Sequence, residues 1–194
     1  MTSVRSDLKT ILRKQKTLKK EVSFSGIGIH TGAQVAMRFV PADASTGIIF
    51  KRIDLPGAPL IPATVDYVVD TSRSTIIGLA NVKVHTVEHV LAALKAFEID
   101  NLLIEVSNIE PPVGNGSSDV FVEMIEEAGV MEQEATLPIV KLEHPIYLTD
   151  GDIHIVALPF DGYRISYTLN YDQPEVLKAQ FHSFTVQSEA FKKE

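Results

Sequence analysis

The sequence predicts an α+β fold, because a first series of strand-like segments includes two amphipathic helices and a second series of strands follows. The first series opens with the alternating segment 22–25. The two helical patterns begin near Thr86 and near Ser118. The second series begins at Leu137 and contains a hairpin whose turn is Asp150-Gly151.

Five segments of the first series are short and either alternating or rich in β-branched residues, as strands are. They are residues 22–25, 35–40, 47–50, 74–79 and 101–106. Residues 26–32 (Gly-Ile-Gly-Ile-His-Thr-Gly) contain three glycines, which indicates a tight bend or a close approach of the backbone to another group. The proline-rich segment 54–62 is predicted to be a loop.

Two segments repeat their apolar residues with the period of a helix. In the first, residues 86–97, the apolar positions are Val87, Val90, Leu91, Leu94 and Phe97. The second follows the turn 111–116, with Ser117 or Ser118 as its cap and Gly129 as its stop.

The chain divides into three predicted regions. Residues 1–15 are polar and basic and are expected to form a flexible leader, and residues 16–136 are expected to form an α+β domain. The strands after residue 137 lack covering helices, and a helix with a capping serine opens at Ser188 near the end of the chain. Because uncovered strands cannot close a two-layer domain, we expect 137–194 to be the truncated first half of a second domain.

Composition excludes several classes of protein. The 18 Lys and Arg against 25 Asp and Glu give a net charge of -7, which argues against nucleic acid or an anionic membrane as the main partner. With no cysteine, any zinc site must use His, Asp, Glu or water. We see neither an apolar run of membrane-spanning length nor a signal peptide, so we expect a cytoplasmic protein without a transmembrane segment.

The stretch 85–89 (His-Thr-Val-Glu-His) carries the strongest chemical signal. On a helix, His85 and His89 would lie on one face. Imidazole is a good zinc ligand, and Glu88 could take a proton from metal-bound water. The same residues match the H-x-x-E-H signature of inverted zinc metalloproteases, so the pattern indicates a metal without identifying its chemistry.

Taken in order, the motifs resemble the family of UDP-3-O-acyl-N-acetylglucosamine deacetylases, the zinc amidases of lipid A biosynthesis. The matching motifs are residues 17–19, 26–32, 46–52, 71–75, 86–94, 99–101 and 116–117. The resemblance covers about residues 16–194. It implies two similar domains, each with a sheet backed by two helices, and an active site between them.

The resemblance also implies roles for individual residues. His89 would be a ligand of Zn2+, Glu88 the base that activates the zinc-bound water, and His85 an exposed residue at the helix start. His30, in the Gly-rich bend, would contact substrate. So would the polar loop formed by Thr71, Ser72, Arg73 and Ser74. The implied partner is the acylated nucleotide sugar UDP-3-O-acyl-N-acetylglucosamine, and we expect the protein to be a monomer.

The sequence departs from the family pattern in its turn and in its later motifs. Asn115 stands where the family turn has an acidic residue before Gly116-Ser117. The later H-[KR]-x-x-D motif with the remaining zinc ligands, the late histidine that protonates the leaving amine, and the Thr-Phe element that contacts substrate have no counterpart. Because one ligand holds zinc more weakly than three, we expect these 194 residues alone neither to retain zinc tightly nor to turn over substrate.

Two alternatives stay open at this point. An inverted-motif metalloprotease would need both His85 and His89 as zinc ligands. A non-catalytic fragment or regulatory paralogue would bind the sugar nucleotide without chemistry. In either sugar-nucleotide hypothesis, Lys51 and Arg52 could face a diphosphate, although adjacent basic residues are more often simply solvated.

Overall fold

The computed structural model describes residues 9–170 and 179–193. Strands and helices occur in both halves of this part of the chain, and the predicted α+β class is confirmed. Residues Lys14–Thr136 pack together as one compact unit, and the described residues outside that range form a second.

The unit Lys14–Thr136 is built on a five-stranded sheet. Its strands are β2 (Val22–Ile27), β3 (Gln34–Pro41), β4 (Ile48–Arg52), β5 (Leu60–Pro62) and β9 (Leu102–Val106). They lie in the order β2-β3-β9-β4-β5, and only the β4–β9 pair is parallel. Alternate residues of β3, namely Val35, Met37 and Phe39, are buried, so one face of the sheet is covered.

Two helices contribute the rest of this core. They are α1 (Glu88–Ala96) and α2 (Asp119–Ala128), which pack against each other, and α2 also packs against β2. The predicted helical period is confirmed, because Val90 and Leu94 of α1 and Phe121 and Ile125 of α2 are buried. Gly129 ends α2 with a φ of 71°, as predicted for a stop glycine.

A small antiparallel sheet connects the segments that carry the candidate site residues. It consists of β6 (Val68–Asp70), β7 (Ile76–Leu79) and β8 (Val82–Val84). The loop 71–75 joins β6 to β7, and the segment 85–87 leads from β8 into α1. The polar loop and the His-Thr-Val-Glu-His stretch therefore both extend from ends of this sheet.

The N-terminal region differs from the predicted leader over 1–15. Residues from Lys9 onward form β1 (Lys9–Leu18), which pairs with β10 (Val130–Lys141); residues 1–8 lie outside the described part of the chain. Gln15 is buried, where its amide nitrogen donates to the Thr136 carbonyl and its amide oxygen accepts from the amide of Asn101. Pairing with β10 makes the segment a strand, and these long-range bonds, which local sequence does not reveal, fix its Gln15 end.

The residues that follow Thr136 form hairpins. Their strands after β10 are β11 (Ile146–Asp150), β12 (Ile153–Ala157), β13 (Arg164–Leu169) and β14 (Gln180–Thr185), followed by the short helix α3 (Ser188–Phe191). The predicted hairpin is confirmed, but its turn is Gly151-Asp152 and not Asp150-Gly151, because Asp150 pairs with Ile153 as the last residue of β11. Ser188 does not cap α3 as predicted: Gln187 occupies the cap position, without a side-chain hydrogen bond. Among the helices of residues 9–170 and 179–193, none has the length and apolarity needed to cross a membrane.

Candidate active site

Glu88 is the first residue of α1 and is held by the residue before β7. The backbone N–H of Thr75 donates to Glu88 Oε2 at 2.9 Å, and the Val87 N–H donates to the Thr75 carbonyl at 3.3 Å. Glu88 is half-buried. One carboxylate oxygen is therefore fixed by the backbone of Thr75, the residue that follows the polar loop, which limits the rotation of the carboxylate.

His89 follows at once and lies beside a small, largely apolar pocket. The other residues that line this pocket are Ile29, Thr86, Pro111, Pro112, Val113 and Phe121. His89 is half-buried, and its carbonyl accepts a hydrogen bond of 3.1 Å from the Ser118 hydroxyl at the start of α2. His89 is therefore a half-buried residue at the edge of a pocket and not part of the core.

The Gly-rich bend approaches the same pocket through Ile29, the residue before His30. His30 is exposed, and its backbone N–H donates to both oxygens of the Glu110 carboxylate, at 3.2 and 3.1 Å. The bend that carries His30 is thus fixed to a buried group, while the residue itself is open to solvent.

Glu110 is the central residue of this region, and the sequence analysis missed it. It is only 1% exposed and also accepts hydrogen bonds from the Thr31 N–H, the Thr31 hydroxyl and the Thr86 hydroxyl, at 3.1, 3.0 and 2.8 Å. Burial alone would raise the pKa of Glu110, but these bonds outweigh it and lower the pKa below its ordinary value. The available signal was a carboxylate next to Pro111-Pro112, opposite a bend whose glycines allow close approach.

That close approach is visible at Gly28. A Cβ added there would lie 2.4 Å from Glu110 Oε2 and 2.6 Å from the Thr31 hydroxyl. Both distances are far below van der Waals contact, so this position accepts only glycine without rearrangement. The Gly-rich bend therefore serves as a cradle for the Glu110 carboxylate.

His85 does not lie on α1, so the prediction that His85 and His89 share one helix face is wrong. It lies three residues before the helix, and Thr86 between them has a left-handed φ of 54°, which prevents the helix from extending back. His85 is half-buried, not exposed as the resemblance implied. Burial lowers the pKa of His85, and the Glu110 charge opposes this shift.

The polar loop is open to solvent. Thr71, Ser72 and Arg73 are exposed and Ser74 is half-buried. The Ser72 N–H donates to an Asp70 carboxylate oxygen at 2.9 Å. Because the loop continues directly into Thr75, its polar groups begin one residue from the backbone N–H that holds Glu88.

The adjacent cations Lys51 and Arg52 are engaged within the fold. Lys51 Nζ lies 3.0 Å from a Glu105 oxygen, and Arg52 pairs with Asp54 at 2.6 Å and donates to the Lys83 carbonyl at 2.7 Å. These partners compensate both charges, so neither cation is an evident diphosphate contact.

The donor set for a metal is incomplete within this part of the chain. Across residues 9–170 and 179–193, no three His, Asp or Glu side chains are grouped so that they could hold a metal ion. Catalytic zinc normally has three protein ligands, and His89 offers one nitrogen. The described residues thus provide one candidate ligand and an adjacent carboxylate, not a whole zinc site.

Comparison with known proteins gives one family, both from a family model and from individual relatives. The family model LpxC, described as UDP-3-O-acyl N-acetylglycosamine deacetylase, matches residues 15–194. Two curated relatives named UDP-3-O-acyl-N-acetylglucosamine deacetylase, from Chlamydia pneumoniae and Chlamydia felis, are each 43% identical to the chain, and one from Chlamydia caviae is 42% identical. The alignments cover 94% of this chain and 65% of each relative, so the chain spans a little less than two thirds of their length.

Proposed function

Because the chain belongs to the LpxC family, we propose that it supplies the catalytic base and one zinc ligand of a deacetylase acting on UDP-3-O-acyl-N-acetylglucosamine in lipid A biosynthesis. The observation that carries this proposal is the adjacent pair Glu88 and His89, where the carboxylate is held by the Thr75 amide and the imidazole belongs to a pocket-lining residue. The substrate is the one that the relatives' names specify.

The proposed reaction is hydrolysis of the N-acetyl amide. Water adds to the acetyl carbonyl, and Glu88 Oε1 takes the proton that the water loses while Oε2 keeps its bond to the Thr75 N–H. The C–N bond then breaks to give acetate and the amine, whose nitrogen gains a proton that balances the one Glu88 took from the water. When bound, Zn2+ would polarise the carbonyl and acidify the water, and His89 would be one of its ligands.

The proposed substrate contacts are His30 and the polar loop. His30 lies in the Gly-rich bend, and Ile29, the residue before it, lines the pocket beside His89. The loop residues present hydroxyl groups and a guanidinium that can donate hydrogen bonds to a sugar nucleotide. They are Thr71, Ser72, Arg73 and Ser74.

Residues 1–194 alone are proposed to bind zinc weakly and to lack turnover. The basis is chemical: His89 is one ligand where a catalytic site normally has three. We further propose that the protein acts in the cytoplasm as a monomer, which cell fractionation and light scattering would test.

The sharpest test places these residues in the context of a longer relative. Residues 15–194 would replace the matching stretch of the Chlamydia pneumoniae relative, and the chimera would be assayed for acetate release from the sugar nucleotide. Glu88→Gln should lower kcat by about 10²–10⁴-fold, because it removes the proton acceptor. His89→Ala should remove both activity and tight zinc binding, measured by competition with a chelating dye.

His85→Ala is the matched control, since it alters the other histidine of the stretch. It should leave zinc affinity of the chimera within about twofold, whereas a metalloprotease site would lose its metal. An inactive chimera that folds and binds zinc would contradict the deacetylase proposal. Micromolar or tighter zinc binding together with turnover by residues 1–194 alone would contradict the proposed weakness of the isolated chain.

A further inference from the structure

Thr86 has a backbone conformation that needs an external restraint. Its φ of 54° is left-handed, which is unusual for a β-branched residue. Thr86 immediately precedes Val87, Glu88 and His89, so its conformation sets the direction in which the chain enters α1. Strained residues of this kind persist only where surrounding contacts hold them.

Glu110 provides the side-chain restraint on Thr86, and backbone bonds of the two neighbouring residues add to it: the His85 N–H donates to the Ile109 carbonyl at 2.8 Å and the Val87 N–H to the Thr75 carbonyl at 3.3 Å. The Thr86 hydroxyl donates to Glu110 Oε1 at 2.8 Å, and both groups are buried. The same carboxylate accepts hydrogen bonds from the backbone N–H groups of His30 and Thr31. One buried anion therefore ties the start of α1 to the Gly-rich bend, and these are the segments that carry Glu88, His89 and His30.

We propose that Glu110 is a positioning residue that fixes the relative placement of the α1 start and the Gly-rich bend, and so sets the geometry of Glu88 and His89. Its catalytic consequence rests on the proposed function, but its structural consequence does not. Glu110 does not touch the reacting groups in this scheme. It acts through Thr86 on one side and through the backbone of His30 and Thr31 on the other.

A second buried carboxylate, that of Glu105, serves as the comparison for Glu110. Glu105, on β9, is 6% exposed and accepts from the side chains of Arg38 and Lys51. Its partners are cations on the neighbouring strands β3 and β4. Glu110 instead accepts from neutral N–H and O–H groups of the bend and of Thr86, so its loss releases segments of backbone as well as a side chain.

The test is amide hydrogen exchange on the whole chain with Glu110→Gln and Glu105→Gln. Glu110→Gln should speed exchange of the Thr75 and Val87 amides by about tenfold relative to the Leu102 amide, since the carboxylate's restraint on the α1 start is weakened. Glu105→Gln should leave that ratio unchanged even if it lowers overall stability. A Glu110→Gln protein with the wild-type ratio, or equal changes in both variants, would overturn the proposal.

Two substitutions at Thr86 test whether its hydrogen bond to Glu110 causes the change in amide exchange. Thr86→Ser keeps the hydroxyl and should keep the wild-type exchange ratio at Thr75. Thr86→Val removes the hydroxyl at nearly constant volume and should reproduce the effect of Glu110→Gln. Equal ratios in the Ser and Val variants would contradict a role for the Thr86–Glu110 hydrogen bond.

The catalytic consequence is measured separately in the active chimera. There Glu110→Gln should lower kcat by about tenfold or more and raise KM by a smaller factor, because the base is misplaced and, of the proposed substrate contacts, only His30 lies on the released bend. Glu105→Gln should change neither constant by more than about twofold. If the wild-type chimera folds and binds zinc but is inactive, the proposed function fails, yet the exchange experiment still decides the role of Glu110. An active chimera whose kcat is unaffected by Glu110→Gln overturns the catalytic consequence alone.

Discussion

The two units of the chain use β-strands in opposite ways. In the unit Lys14–Thr136, alternate strand residues such as Met37 and Phe39 are essentially inaccessible, at 1% and 0% exposure. In the described part of 137–193, no residue is buried, and Tyr147 and Tyr167 are 68% and 61% exposed. One set of strands is the base of a core, and the other consists of paired hairpins.

This difference shows what a core contributes beyond strand pairing. Hairpin register in β11–β12 and β13–β14 follows from local backbone bonds, which need no buried partner. Placement of α1 requires more, because Val90 and Leu94 must be buried for Glu88 and His89 to have fixed positions. The candidate catalytic pair thus lies in the unit whose geometry packing determines.

The largest expected effect contrasts two phenylalanines. Phe39→Ala, at a fully buried position of β3, should lower the free energy of unfolding of the Lys14–Thr136 unit by about 3–5 kcal/mol. Phe181→Ala, at a position of β14 that is 69% exposed, should change it by no more than about 0.5 kcal/mol. Denaturant unfolding followed by backbone amide signals measures both, and similar losses would mean that β14 is stabilised by buried contacts.

An intermediate effect is expected at two glycines. Gly28→Ala should destabilise its unit by about 1–3 kcal/mol, because the added Cβ would collide with the Glu110 carboxylate. Gly151→Ala meets no neighbouring atom within 4 Å, and only its positive φ of 56° carries a cost, of about 1 kcal/mol. Thermal unfolding measures the loss of stability in each variant. A shift of the Thr31 amide signal in the Gly28→Ala variant, and not in the Gly151→Ala variant, would locate the collision at the Glu110 carboxylate. Equal losses of stability in the two variants, without a shift of the Thr31 amide signal, would contradict a collision between the added Cβ and Glu110.

Sequence patterns predicted the elements with strong local periodicity. The two helices, the β3 alternation and the hairpin turn after Asp150 all follow from residues close in the chain. The motif-based resemblance to the deacetylase family is likewise confirmed by the family match. Adjacency of Glu88 and His89 needed no structure, since it is given by the sequence.

The features that sequence could not predict depend on contacts between distant residues. Glu110 meets His30 across 80 positions, and Gln15 meets Asn101 across 86, so no local window contains either pair. The sequence predicts a regular helix from Thr86, because a positive φ is disfavoured locally in a β-branched residue. In the structure the hydrogen bond to Glu110 helps to hold Thr86 at a φ of 54°. The expected helical pairing of His85 with His89 failed for this reason.

The smallest expected effect is a pH dependence that differs between the units. Burial alone would raise the pKa values of Glu110 and Glu105. Hydrogen bonds outweigh burial and lower both pKa values below the ordinary 4.5, and the largest of these contributions are the bond from Thr86 to Glu110 and the bond from Arg38 to Glu105. Bonds to lysine lower the pKa values of Asp161 and Glu189, yet these carboxylates are exposed, so solvent screens their contribution.

Carboxylates with lowered folded-state pKa values stabilise the fold above their unfolded-state pKa, and this contribution is lost as pH falls through the folded value. The Lys14–Thr136 unit should therefore lose stability between about pH 5.5 and a pH below the ordinary 4.5, while amide exchange in the hairpins, corrected for its intrinsic rate, changes little. Glu110→Gln should flatten this dependence, because Gln has no proton to gain. Denaturant midpoints at both pH values measure the slope, and an unchanged slope in that variant would assign the acid sensitivity to carboxylates other than the one that holds Thr86.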